Sequence, residues 1–118
     1  MEKIIISGIK VFAQHGCLKE EGKIGTYYIV DVKIKADVKK ATETDALQDT
    51  VNYTEVIEII TKITKEKKRL IETVANKIAT TLINRFKKIK SLEVSLTKMS
   101  PPVKGEVKSV GVIVSKNK

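Results

Sequence analysis

Apolar residues fall on alternate positions in some stretches of the chain and at three-and-four spacing in others. The cleanest alternation is Tyr28, Val30, Val32, Ile34, Ala36 and Val38 against Ile29, Asp31, Lys33, Lys35 and Asp37. It predicts a strand with one core face and one mostly charged, wet face. Lys3 to Phe12 carries Ile4, Ile6, Ile9, Val11 and Phe12 with Ser7-Gly8 interrupting, which predicts a first strand with a bend or bulge near Gly8. Leu92, Val94 and Leu96 alternate with Glu93, Ser95 and Thr97, and Val110, Val112 and Val114 mark a last strand.

Helical spacing appears twice. Val56, Ile59, Ile60 and Ile63 make one amphipathic helix, with Asn52 placed to cap it and Glu55 to close a capping box. Tyr53 is left in its opening turn, near the surface. After the basic run Lys65, Lys67, Lys68, Arg69, the stretch Leu70 to Phe86 repeats Ile71, Val74, Ala75, Ile78, Leu82 and Phe86 on one helical face. Lys39 to Asp49 reads as a polar connection and Met99 to Glu106 as a stiff turn. Ala13 to Gly25, with His15, Gly16, Cys17, Glu20 and Glu21, is a loop longer than a hairpin needs, and such loops are often functional. The order strand, strand, helix, helix, strand, strand implies an α+β fold, a four-stranded antiparallel sheet with both helices on its apolar face. Exposed sheet edges need covering, and closing sheets from several subunits into a barrel is one way to do it.

Composition narrows the function. The 118 residues suit one domain, residues 1–118, and no apolar run is long enough to cross a bilayer. Met1-Glu2-Lys3 runs straight into Ile4-Ile5-Ile6 without a signal-peptide pattern, and Cys17 is the one cysteine, so a cytoplasmic location is expected. The net charge of +9 raises the question of nucleic acid. Most of that charge is lysine spread over helices and turns, only Arg69 and Arg85 supply guanidinium forks, and the few aromatic residues form no stacking row. No nucleic-acid or membrane partner is therefore expected, and a non-catalytic basic binding module is kept as the alternative of another class.

Two residues stand where their type is unusual. Glu72 lies at the start of the apolar helix, on the border of its stripe, where free first-turn N–H groups and the helix dipole favour an ionised carboxylate. It can accept two parallel N–H bonds from a flat ligand, or it can simply offset the dipole and answer the basic run before it. Lys98 continues the apolar series of the third strand, where desolvation would lower its pKa towards the range of acid–base work, unless the strand has ended and the side chain reaches solvent. Of Glu20 and Glu21, at most one should share a pocket in an extended stretch. His15 and Cys17 lack a third orienting group or metal-ligand spacing, so neither nucleophilic nor metal chemistry is expected of them.

Taken together, several pieces resemble the dihydroneopterin aldolase family of folate biosynthesis. They are Ile6-Ser-Gly-Ile-Lys-Val-Phe12, His15-Gly-Cys-Leu18 with Glu21 after it, Gly25 leading into Ile29-Val-Asp-Val32, Thr44-Asp45, Asp49-Thr-Val-Asn-Tyr53, Leu70-Ile-Glu-Thr-Val-Ala75, and Thr97-Lys98 before Pro101-Pro102. The resemblance covers essentially the whole chain. It implies a tunnelling fold whose sheets join across subunits into a barrel, a homo-octamer of two stacked tetrameric rings, and active sites between subunits.

It also implies roles: Glu72 pairs with the pterin edge, Tyr53 from the adjoining subunit closes over the ligand, Glu21 lies near its side chain, and Lys98 is the acid–base group. Backbone around Val51 and Ile71 completes ring recognition, and neither cofactor nor metal is implied. The implied reaction is retro-aldol cleavage of 7,8-dihydroneopterin, with epimerisation at the same site, on the free substrate or its triphosphate, as the alternative. Lys104, Gln14 and Val107-Lys108 depart from the family pattern and bear on loop rigidity and side-chain handling.

Overall fold

The strand with the cleanest alternation becomes an inner strand of the sheet. In the computed structural model, which describes residues 1–14, 25–101 and 103–118, β1 (Glu2–Ala13), β2 (Thr26–Ala36), β3 (Ile89–Met99) and β4 (Ser109–Asn117) pair antiparallel in that order. Between β2 and β3 lie a short helix α1 (Lys39–Thr44), a 3-10 turn (Leu47–Asp49) and the two long helices α2 (Tyr53–Lys65) and α3 (Ile71–Arg85). Tyr28, Val30, Val32, Ile34 and Ala36 are all fully buried, while Lys33 and Lys35 are exposed, as the alternation requires.

Gly8 settles how β1 keeps one apolar face. Ile4 and Ile6 occupy even positions, and Ile9 and Val11 odd ones, so an unbroken strand would turn half of them to water. The register advances by one residue between Ile6 opposite Val32 and Ile9 opposite Val30, and this bulge restores the phase. Gly8 takes φ +72°, and its N–H, lost from the ladder, donates to Asp31 Oδ1 at 2.7 Å. A Cβ there would meet nothing within 4 Å, so only backbone strain resists substitution. Gly8→Ala is therefore expected to cost about 1 kcal/mol in urea unfolding, and an unchanged midpoint would show that the bulge is not a fixed feature of the strand.

The long helices cover one face of the sheet, α2 over β1 and α3 over β3 and β4. Val56 and Ile60 from α2, and Val74, Ile78 and Leu82 from α3, close the core against Val32, Ile34, Val94 and Leu96. Asn52 caps α2 as expected, its side chain accepting from the Thr54 N–H at 3.0 Å. Glu55 instead engages Arg85, at the last turn of α3. Because Arg85 ends one helix and Glu55 begins the other, the pair runs antiparallel, with Glu66 and Lys77 joined at 2.8 Å near the connection.

Lys39 to Asp49, expected as a polar connection, contains α1 and the 3-10 turn. Neither an apolar stripe nor a buried residue marks α1, so periodicity had nothing to register. The turn is held by Thr44, whose hydroxyl donates to Asp49 Oδ2 at 2.7 Å and accepts from the Ala46 N–H at 3.2 Å. The Thr44 bond, helped by Lys40 at 3.6 Å, holds the Asp49 carboxyl below the usual carboxylate range against the opposing effect of its burial. A carboxyl whose folded pKa is depressed stabilises the fold above its unfolded pKa, and that contribution is lost as pH falls through the folded value. Thr44→Val is expected to narrow the gap in stability between pH 7 and acid pH, read by denaturant unfolding across that range; an unaltered pH dependence would remove the linkage.

Candidate active site

Lys98 lies on the helix-facing side of β3, in phase with the buried Leu92, Val94 and Leu96. Only 8% of it is accessible, so the strand continues through this position and the lysine does not reach out to bulk water. Its cross-strand neighbours are Tyr28 on β2, fully buried, and Val110 on β4. Directly opposite residues have Cβ atoms about 5 Å apart, so the lysine stem is confined between strands. Thr26 strengthens this end of the sheet, its hydroxyl donating to the Met99 carbonyl at 3.0 Å.

Glu72 reaches the same end of the molecule by another route. The helix α3 and the strand β3 run back to back through a tight connection in which the Ile89 N–H donates to the Phe86 carbonyl at 3.2 Å. From that connection Glu72 lies about 21 Å back along the helix, and Lys98 about 30 Å along the strand. The cap of α3, Leu70, makes no side-chain hydrogen bond to the helix, which leaves the first-turn N–H groups around Ile71 facing outward beside the carboxylate. Expected at the margin of the core, Glu72 is exposed in the single chain, and Ile71 is half-buried. A cleft of about 260 Å³ opens at this end between Phe12, Ala13 and Gln14 of β1 and its extension, and Lys65 at the end of α2 with Lys67 beyond it.

Tyr53 and Val51 are elsewhere. They precede and open α2, whose antiparallel course puts them about 18 Å along the helix from Lys65. The chain measures 52 × 22 × 22 Å, and they sit towards the other end of it from Glu72 and Lys98. Tyr53 is 62% exposed, a large aromatic without cover, whereas Val51 is buried. One chain thus places Ile71, Glu72 and Lys98 towards one end, and Val51 and Tyr53 towards the other. Glu21, like His15 and Cys17, lies outside the described residues. Among the described residues, no helix could cross a membrane and no group of three or more His, Cys, Asp or Glu could hold a metal ion.

A family model described as dihydroneopterin aldolase matches residues 4–115. The chain belongs to the dihydroneopterin aldolase family. It is 34% identical, over 100% of its length and 99% of the relative's, to dihydroneopterin aldolase of Bacillus subtilis strain 168. It is 35% identical, over 95% of each, to that of Streptococcus pyogenes serotype M18. The crystal structure of E. coli dihydroneopterin aldolase in complex with neopterin superposes with a TM-score of 0.89 at 24% identity, covering 99% of this chain and 100% of that one, and so shares its fold. The family reaction is carbon–carbon bond cleavage of 7,8-dihydroneopterin in folate biosynthesis, releasing 6-hydroxymethyl-7,8-dihydropterin and glycolaldehyde.

Sequence reading passed over Tyr28 as a core residue of its strand. The cross-strand register makes it the neighbour of Lys98, and register between strands so far apart in sequence leaves no local signal.

Proposed function

We propose that the chain performs this cleavage without a metal, at sites that two copies build jointly. Glu72 and the first-turn backbone at Ile71 hold the pterin edge; Lys98 moves protons; Tyr53, from the neighbouring copy, closes over the ring, with the backbone at Val51 beside it and Glu21 near the side chain. The observation that supports this reading is that Tyr53 opens α2 at the end of the helix pair away from Glu72, about 18 Å along α2 from Lys65. A pterin is about 10 Å long, shorter than that helical span, which favours a site that two copies share. The open edges of β1 and β4 supply the means: unpaired strand edges join sheets across subunits into a closed barrel. The assembly expected is a homo-octamer of two stacked rings.

The substrate explains why so few groups suffice. The side-chain carbon next to the ring carries one hydroxyl and its neighbour another. Removing the proton from the second hydroxyl lets its carbon become the glycolaldehyde carbonyl as the bond between the two carbons breaks. The electron pair enters the ring C=N, whose nitrogen takes a proton, and the resulting enamine is protonated at carbon to give the hydroxymethyl product. A ring that accepts electrons itself requires no Schiff base, and Lys98 acts as the proton carrier through a bound water. A reducing cytoplasm suits both the dihydropterin and a chain whose sequence has one cysteine.

The test mixes two inactive variants. Lys98→Ala and Tyr53→Ala are each expected to lose activity alone. Unfolded and refolded together, they should recover a measurable share of it, because some junctions then receive both intact groups. No recovery from a mixture that forms the same oligomer would place Tyr53 and Lys98 in a site within one chain. The products, separated chromatographically with EDTA present, report the reaction: loss of all turnover on chelation would end the metal-free reading, and an epimer as sole product would make the chain an epimerase at this site.

A further inference from the structure

The sheet face turned away from the helices carries a second constellation, remote from Lys98. Lys33 and Lys35 stand two apart on β2 and leave the sheet on that face, and Lys3 on β1 is directly opposite Lys35. Across β2, Ser91 faces Lys35 and Glu93 faces Lys33, while Asn117 on β4 continues the row that starts at Lys3. These residues line a groove of about 310 Å³. Ser91 lies about 23 Å along β3 from Lys98, so the groove is separate from the pterin site in both face and position.

Like charges directly opposite in a sheet destabilise it. Here three ammonium groups are gathered by strand geometry, and among the described residues none of the three enters an ion pair or hydrogen bond. Glu93 is the one carboxylate in the groove, and it neighbours Lys33, leaving the row of Lys3, Lys35, Ser91 and Asn117 without negative charge. Such a row offers two cations followed by a hydroxyl and an amide, all able to donate. It crosses four strands, about 14 Å, longer than one phosphate and suited to several in line.

We propose that this groove binds a polyphosphate anion, held by Lys3, Lys33 and Lys35 and hydrogen-bonded by Ser91 and Asn117. The same chemistry is presented by free inorganic polyphosphate and by the phosphate tail of a nucleotide. Within one chain the groove is complete, so it does not rest on the subunit arrangement proposed for the active site.

Calorimetric titration with tripolyphosphate, with EDTA present and at physiological salt, tests it. The double variant Lys33→Gln with Lys35→Gln is expected to weaken binding about tenfold or more, and Lys3→Gln about threefold. A control pair removing the same charge elsewhere, Lys62→Gln with Lys87→Gln, should weaken it less than about twofold. Lys35→Arg should keep binding while ruling out a folding defect. No saturable binding by the unsubstituted chain, or equal losses in groove and control variants, would overturn the proposal in favour of diffuse attraction. ATP binding more tightly than tripolyphosphate through the same lysines would support the nucleotide source, and equal binding the inorganic one. An oligonucleotide that needs these lysines but that tripolyphosphate fails to displace would overturn it in favour of nucleic acid. The groove variants should cleave dihydroneopterin at the unaltered rate when no polyphosphate is present.

Discussion

Replacing Lys98 by alanine is expected to lower turnover of 7,8-dihydroneopterin by about 10²- to 10⁴-fold, the span that a positioned proton-transfer group commonly contributes. Pterin affinity should stay within a few-fold, because in the proposed arrangement the lysine acts on the side chain while the ring is held elsewhere. Equilibrium binding of a non-cleavable pterin, measured beside single-turnover cleavage, separates the two. Lys98→Arg should not rescue: guanidinium stays charged through the working range and cannot hand its proton over and take it back. If arginine restored turnover, charge alone would be what matters, and the acid–base role would fall. The variant should remain folded, since the β3 ladder is made by backbone groups that the substitution leaves in place.

Replacing Glu72 by alanine should have the opposite profile. Hydrogen bonds to a charged partner contribute about 1.5–3 kcal/mol each, so losing a two-bond grip should weaken pterin binding by about 10²-fold or more. Turnover at saturating substrate should fall less. The carboxylate is exposed in the first turn of α3 and supports that helix only through the dipole, so the fold should lose less than about 1 kcal/mol. Fluorescence titration with a pterin and thermal unfolding of the same sample provide both readings. Unchanged pterin affinity would leave Glu72 with its dipole role alone. A nucleic-acid module would behave differently again, since removing an acid from a basic surface leaves polyanion binding equal or slightly tighter.

Where one segment carried its own pattern, the sequence was enough. The alternation of β2 predicted both its faces and the break at Ser7-Gly8 predicted the bulge, whereas the lysine in an apolar series left two readings open, and the structure takes the buried one. Glu72 shows where such reasoning stops. Its place on the border of an apolar stripe was legible, but the stripe ends at a surface that one chain does not cover, so the residue expected at the core's margin is exposed. The helix α1 escaped for the reverse reason: six residues with none buried follow the local bonds of Thr44 and Asp49 rather than any periodicity. Glu55 could close a capping box or reach another helix, and only the antiparallel packing of α2 on α3 brings Arg85 within its range. Family resemblance assigned roles to residues that no pattern along the chain could have joined, Tyr53 and Glu72 being nineteen positions and most of a helix apart.

In the proposed shared site, the placement of Tyr53 and Glu72 towards opposite ends of the chain would also tie catalysis to mass action. If the site is shared as proposed, a pterin that touches both groups binds where two copies meet, and its binding then favours the assembled form by mass action. Dilution should then inactivate the enzyme more steeply than in proportion to its concentration, after a lag set by dissociation, and substrate should protect against that loss. A cell holding little of this protein would gain activity abruptly as synthesis crosses the assembly threshold, with the metabolite itself lowering that threshold.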